Sequence, residues 1–243
     1  MIKDNNIYKL DHLSEKTIIV HHHLGLGDHI ICNGLINKLS ESLDTIYLPV
    51  KSHYYQMIKF LYLDNNKIKF FQVTNNNSED DVEVYAKKNN LRILRIGFEK
   101  VKKNPFNTWF YKQLDYPYDY SFDYFKLPDQ ESKGKELEAH LCEYYSANKD
   151  NYILVHNQSH ENTYDLKNIK SKDIIYMSKD SDLFNNMFYY KTLILNAKEI
   201  HCINSSFLHL VERIKTDSQL YYHNVRNSNF KLSDKWNVVN YDN

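Results

Sequence analysis

Thr17-Ile18-Ile19-Val20-His21-His22-His23-Leu24-Gly25-Leu26-Gly27-Asp28 reads as a strand, a glycine turn and the first residues of a helix. Thr17 to His21 is β-branched and apolar, the make-up of a buried strand. Beyond the glycines, Ile30, Ile31, Gly34, Leu35 and Leu39 recur at helical spacing, which predicts a helix over Asp28 to Ser42. The alternation continues outward. Strands are expected at Thr45–Val50, Lys67–Val73 and Leu91–Ile96, with a helix over Ser52–Tyr62 that groups Tyr55, Ile58, Lys59 and Tyr62. A polar turn over Asn75–Asp81 carries capping residues for a short helix ending near Lys88. A second set begins further along: strands at Tyr152–His156, Asp173–Met177, Glu199–Ile203 and Gln219–His223, helices over Leu183–Ala197 and from near Ser205. Strands alternating with helices imply parallel sheets joined by right-handed crossovers. The fold class expected is α/β, two small Rossmann-like halves whose parallel sheets face a cleft. The boundary falls between residues 128 and 150, giving domains 1–128 and 129–243.

Between the halves, the segment 104–127 is crowded with aromatics, among them Phe106, Trp109, Phe110, Tyr111, Tyr118 and Tyr120. Thr108–Leu114 suits a helix, and Pro117 and Pro128 interrupt any helical pattern beyond Leu114. Interdomain core is the expected role of this belt, ahead of stacking on a sugar or base. Asp129 to Tyr145 reads as a polar helix with Leu137, Leu141 and Tyr144 as its apolar stripe.

Composition narrows the function classes. The chain has 243 residues, 42% hydrophobic and 26% charged, as in ordinary folded domains. Lys plus Arg and Asp plus Glu both count 31, so the formal net charge is zero and nothing pulls the molecule toward nucleic acid or an anionic membrane. Cys32, Cys142 and Cys202 show no CxxC spacing, which argues against a disulfide framework or zinc knuckle and for small apolar residues. Met1 to Lys16 lacks the apolar core of a signal peptide, and no run of about 18 apolar residues is present. A cytoplasmic protein without an integral membrane segment is expected. The abundant Asn, Lys, Ile and Tyr fit an AT-rich coding bias.

The chain has only 5 glycines, and Gly25, Gly27 and Gly34 fall within ten residues. Glycines at a strand-to-helix turn let backbone N–H groups approach a ligand, and the helix start behind them favours an anion. Two nucleotide fingerprints fail here. A dinucleotide GxGxxG needs glycine where Ile30 stands, and a P-loop needs Lys where Asp28 stands. Asp28 fits two roles, a cap stabilised by the helix dipole and a general base for a neutral group with a proton to give. The second informative stretch is Glu199 to Arg213. There a strand ends at Ile203, and Asn204-Ser205-Ser206 suits either a helix cap or a phosphate cradle. His209 and Glu212 lie one turn apart, with Leu208, Val211 and Ile214 toward the core.

Gly-Asp at the first helix, with a late strand followed by Asn204-Ser205-Ser206 and then His209-Leu210, resembles the ADP-heptose heptosyltransferase type of GT-B glycosyltransferase. The resemblance covers these two motifs and the βα order between them. It implies that Asp28 deprotonates the acceptor hydroxyl, with His23, Gly25 and Gly27 around it. It implies further that Asn204, Ser205, Ser206 and His209 bind the donor diphosphate. Asn204 and Ser206 stand where Asp and Gly are usual in that family. His156 to His160 takes the place of its HPG-like loop, so His156 and His160 are candidate donor contacts, and His160, Lys167 and Lys191 are candidate cations for the diphosphate.

His21-His22-His23 also suggests a metal, but on a strand only His21 and His23 converge, and no HExxH accompanies them. Lining the carboxyl end of the strand, where open α/β sheets bind ligands, is the preferred reading. Ser206 and His209 lack the GxSxG of a hydrolase. The expected function is therefore a metal-independent, inverting glycosyltransferase without a cofactor, taking a nucleotide-diphosphate sugar and a glycan or other hydroxyl acceptor. The alternatives are another Rossmann-type enzyme of a nucleotide or phosphate ligand, and a catalytically silent sugar-nucleotide-binding protein.

Overall fold

The computed structural model describes residues 5–98, 105–159, 162–226, 228 and 230–241. The chain divides into two compact units, Met1–Pro128 and Asp129–Asn243.

The first unit is built on β1 (Asn6–Ile7), β2 (Thr17–His21), β3 (Thr45–Lys51), β4 (Ile68–Val73) and β5 (Arg92–Arg95), in the sheet order β1-β5-β2-β3-β4. Every pairing is parallel. The chain therefore steps outward from β2 to β3 and β4, then returns to place β5 on the other side of β2. That reversal creates a topological switch point at the carboxyl ends of β2 and β5, the usual ligand position in an open α/β sheet. Helices α1 (Leu26–Ser40), α2 (Tyr55–Leu61) and α3 (Ser78–Asn89) fill the connections. Ile18, Ile19 and Val20 are fully buried, as are Ile30, Ile31, Leu35 and Ile36 of α1, which accounts for the continuous apolar reading of both elements.

Helices α4 (Phe106–Lys112) and α5 (Tyr120–Asp123) come from the aromatic belt. Much of the belt expected between the halves is core of the first unit, because α1 offers it a seat. Phe110 and Tyr111 are fully buried, and the Tyr111 hydroxyl donates to Ile31 O (2.7 Å) while accepting from Leu35 N–H (3.0 Å), bridging one step of the α1 ladder. Gly34 makes this possible. A Cβ there would lie 2.3 Å from Tyr120 O and 3.1 Å from Ser121 Cα. The third glycine of the cluster thus serves packing.

The second unit carries α6 (Glu131–Tyr144), β6 (Ile153–His156), β7 (Ile174–Tyr176), α7 (Lys191–Asn196), β8 (Glu199–Ile203), α8 (Ser206–Arg213), β9 (Gln219–Asn224) and β10 (Trp236–Asn240). Its sheet order is β10-β9-β8-β6-β7, again parallel throughout, with a second switch point between β6 and β8. The α/β class with two Rossmann-like parallel halves is therefore present.

Several local expectations are corrected. Helix α1 starts at Leu26, two residues before Asp28, because Gly25 in an extended conformation (φ −71, ψ 150) serves as its N-cap. The helix expected over Leu183–Ala197 is reduced to a 3-10 turn at Met187–Tyr190 and the short α7. Upstream, Asp182 accepts the N–H of Phe184, Asn185 is left-handed (φ 48), and Asn186 accepts the N–H of Phe188, so local side-chain bonds replace the first helical turns. Tyr144 leaves the stripe of α6 and is 58% exposed, whereas Leu137 and Leu141 are fully buried. Strands β1 and β10 add an edge to each sheet beyond the strands read from the sequence. Cys32 and Cys202 are buried free thiols, and Cys142 is half-buried and free. Among the described residues, no helix is long and apolar enough to cross a membrane.

Candidate active site

Strand β2 ends at the first switch point and delivers three histidines and the glycine turn there. Alternation sends them to two sides. The rings of His21 and His23 both meet Phe98 edge-on, at 4.9 and 5.0 Å, while His22 turns to His29 of α1 at 4.5 Å. His21 is buried and its Nδ1 lies 3.3 Å from Arg95 Nη1, an approach that makes this nitrogen the acceptor. Arg95 is itself held by Glu83 (2.9 Å) and by Asn6 (2.6 Å). His23 Nε2 accepts the Phe98 N–H at 2.8 Å, next to Gly97 at φ 94. A Cβ on Gly97 would come within 3.1 Å of that nitrogen, so His23 holds Gly97 and Phe98 just beyond β5.

His22 and His29 form the buried floor of the turn. His22 Nδ1 meets His23 O, and His22 Nε2 and both ring nitrogens of His29 find no partner. Burial pushes the His22 imidazole down to about 4, that of His21 to about 3, and that of His29 well below the usual histidine range. All three are neutral at pH 7. Among the described residues, no three His, Cys, Asp or Glu side chains are grouped to hold a metal ion.

Asp28 is the third residue of α1 and half-buried. Its carboxylate accepts from the N–H groups of Gly25 and of Asp28 itself, the returning half of a capping box. Burial nevertheless pushes the carboxyl up to about 6, against the pull of those N–H groups and of the Lys51 ammonium. The site therefore offers a carboxylate that is ionised at neutral pH yet basic enough to take a proton. Gly27, also half-buried, lies beside it in the first turn of the helix. Lys51, the last residue of β3, carries no motif in the sequence. It closes β3, which pairs with β2 over Thr17↔Thr45 to Ile19↔Tyr47 and runs on past that pairing.

At the second switch point, Ser205 is the N-cap of α8 and accepts the Leu208 N–H at 3.3 Å. By helix geometry, the N–H groups of Ser206 and Phe207 then have no helical acceptor. The Asn204 amide donates to Ser228 Oγ at 2.6 Å and is committed there. His209 is buried and pushed down to about 3 by burial and then by Arg213, which donates to His209 O at 2.9 Å. His156, at the end of β6, packs 5.6 Å from the Phe207 ring and has an unpartnered buried Nδ1. So Ser205, Ser206 and His156 meet at the start of α8, whereas His209 packs 5.2 Å from the Phe230 ring. Two candidate cations are engaged elsewhere. Lys191 pairs with Asp129 at 3.6 Å, the Lys167 ammonium lies 4.8 Å over the Tyr241 ring, and His160 lies outside the described residues. Glu212 is a clamp, accepting from Ser233 N (2.7 Å), Ser233 Oγ (3.2 Å) and Trp236 Nε1.

No protein-family model and no curated protein matches the sequence. Among solved structures, the chain is similar in fold to a glycosyl transferase family 9 protein from Veillonella parvula. The match has a TM-score of 0.52 and 10% identity over 98% of this chain and 88% of that one. At that identity the likeness is one of fold, and it spans both units.

Proposed function

We propose that this protein is a glycosyltransferase that moves a sugar from a nucleotide-diphosphate sugar to a hydroxyl acceptor. The observation that carries the reading is Asp28. It is a half-buried carboxyl of pKa about 6, on the helix-opening turn at a switch point, in a chain that shares its fold with a glycosyl transferase family 9 protein. In the proposed reaction, Asp28 takes the acceptor's hydroxyl proton as that oxygen bonds to the anomeric carbon. The bond from that carbon to the diphosphate oxygen breaks, and the diphosphate leaves with the electron pair. A single displacement of this kind inverts the anomeric carbon.

The leaving diphosphate is assigned to the start of α8, where the Ser206 and Phe207 N–H groups and the helix dipole stabilise negative charge. The Ser205 hydroxyl is occupied as a cap, so the Ser206 hydroxyl is the side chain left for the phosphate. No metal is required by this scheme. A silent sugar-nucleotide-binding protein is the second reading, favoured by the engagement of Lys167 and Lys191 elsewhere.

The discriminating experiment compares nucleoside diphosphate release, in the presence of a hydroxyl acceptor, by the wild type and Asp28→Asn. The transferase reading expects donor binding retained and turnover lowered at least about 100-fold, the scale of a positioned general base. Unchanged turnover would remove Asp28 as the base. Donor binding without turnover in the wild type would favour the silent reading.

A further inference from the structure

We infer that Arg226 is the cation for the donor's diphosphate, held beside the carboxyl end of β8 by Tyr164. The inference rests on the reading of the α8 start as the diphosphate site and deepens it. Strand β8 lies between β9 and β6, and all three run parallel. A contact between the segments that follow β9 and β6 therefore passes the end of β8, where Asn204, Ser205 and Ser206 lead into α8. Arg226 and Tyr164 make that contact. The Arg226 Nε donates to the Tyr164 Oη at 3.1 Å, and its guanidinium carbon lies 5.8 Å from the centre of the ring. Arg226 is exposed, and among the described residues nothing engages its Nη1 or Nη2. A guanidinium anchored through Nε keeps these two nitrogens as a fork that matches a pair of phosphate oxygens.

Each side of this bridge is tied back to the start of α8. After β9, Asn224 Oδ1 accepts the Ser228 N–H at 2.8 Å, and Ser228 Oγ accepts from the Asn204 amide at 2.6 Å. Arg226 stands midway in the turn so closed. Because Ile203 pairs with His223, that turn and the Asn204–Ser206 turn leave the sheet side by side. After β6, the Tyr164 N–H donates to Asn157 O at 3.0 Å, and the Asn157 amide returns a bond to Tyr164 O at 2.9 Å. His156, one residue back, packs on Phe207 in the first turn of α8 and carries a buried Nδ1 without a partner. Such a nitrogen is a polar group that a ligand at this helix start can satisfy. Arg213, the other arginine of the second unit, sits at the far end of α8 and donates to His209 O.

The test titrates inorganic pyrophosphate, and in parallel ADP, UDP, GDP and CDP, into the wild type, Arg226→Gln, Arg226→Lys, Tyr164→Phe and Ser206→Asp by calorimetry. For each probe that binds the wild type, Arg226→Gln is expected to weaken binding about 10- to 100-fold, the scale of charged hydrogen bonds to phosphate. Arg226→Lys keeps the charge without the fork and should recover part of that loss. Tyr164→Phe frees Nε and should weaken binding about threefold. Arg226 is exposed, so ligand-free melting temperatures should stay close to wild type in its variants. Unchanged affinity in Arg226→Gln, with binding abolished in Ser206→Asp, overturns the role of Arg226 and keeps the α8 site. A wild type that binds none of the probes removes both. Binding that depends on Arg226 in a protein without transfer supports the inference and counts against the transferase reading alone.

Discussion

A Cβ on Gly25 would lie 2.7 Å from the Asp28 Oδ2, so glycine at the cap is what allows the carboxylate to fold back onto the backbone. Gly25 has an ordinary φ of −71, so the need is for space and not for an unusual backbone. Gly25→Ala should therefore cost less than about 1 kcal/mol of stability, since the Asp28 side chain can swing away. It should nonetheless displace the carboxylate from its N–H donors and raise its midpoint further. Urea unfolding alongside the Asp28 titration checks both halves.

Ionising Asp28 works against the fold. Its folded value of about 6 lies above the ordinary 3.8, so its stabilising contribution is complete below about pH 3.8 and is lost as pH rises through 6. Asp28→Asn should then stabilise the protein at pH 7.5 by about 1 to 2 kcal/mol, a figure reduced for partial exposure of the site. Lower stability in Asp28→Asn at that pH would show the carboxylate to be chiefly a cap.

The histidine floor acts in the opposite direction. His22 is held at about 4 against an ordinary 6.5, so its contribution is present above pH 6.5 and is lost as pH falls toward 4. By pH 5 the loss is about 2 kcal/mol from this residue alone. His22→Phe should lose less stability than wild type between pH 7.5 and 5 by about that amount, measured by urea unfolding at the two pH values.

Gly34→Ala should be among the most damaging small changes, because its Cβ would meet backbone atoms at Tyr120 and Ser121 that cannot swing aside. A loss of about 2 to 4 kcal/mol is expected, with weaker protection of the Leu35 amide that Tyr111 accepts. Hydrogen exchange at Leu35 reads this directly.

Ser205→Ala and Ser206→Ala separate cap from ligand at α8. Ser205→Ala should cost about 1 kcal/mol as a lost cap. Ser206→Ala should leave unfolding within about 0.5 kcal/mol and act on donor affinity instead. The reverse pattern would remove Ser206 from the phosphate site.

The legible parts of this chain are those where one local pattern suffices. Ile18–Val20 are fully buried because both faces of a parallel strand are covered, and that shows as an unbroken apolar run; Ile200, Cys202 and Ile203 show the same burial around a buried His201. Edge strands lack the signal. Asn6–Ile7 is two residues long, and in Trp236–Asn240 only Trp236 is buried. The α7 region misleads because its apolar spacing is helical while Asp182 and Asn186 divert the backbone. Asp28 is visible as an acidic residue at a helix start, but its half-burial is not. Lys51 carries no local mark at all, since its position depends on how β3 pairs with β2. The same holds for His29, an unremarkable helical residue whose buried ring meets His22 only in the folded unit.

In the proposed division of labour, one half binds a nucleotide-diphosphate sugar while Asp28 in the other acts on the acceptor. Its most direct measurement is a thermal-shift series with ADP-, UDP-, GDP- and CMP-sugars on the wild type, Asp28→Asn and Ser206→Asp. At a tenfold excess over its dissociation constant a donor contributes about 1.4 kcal/mol, or about 3 to 6 °C for a chain of this size. A rise of that order is expected with at least one diphosphate sugar, kept in Asp28→Asn and abolished in Ser206→Asp. A flat melting temperature with every nucleotide sugar, or a shift that survives Ser206→Asp and disappears in Asp28→Asn, would contradict that division.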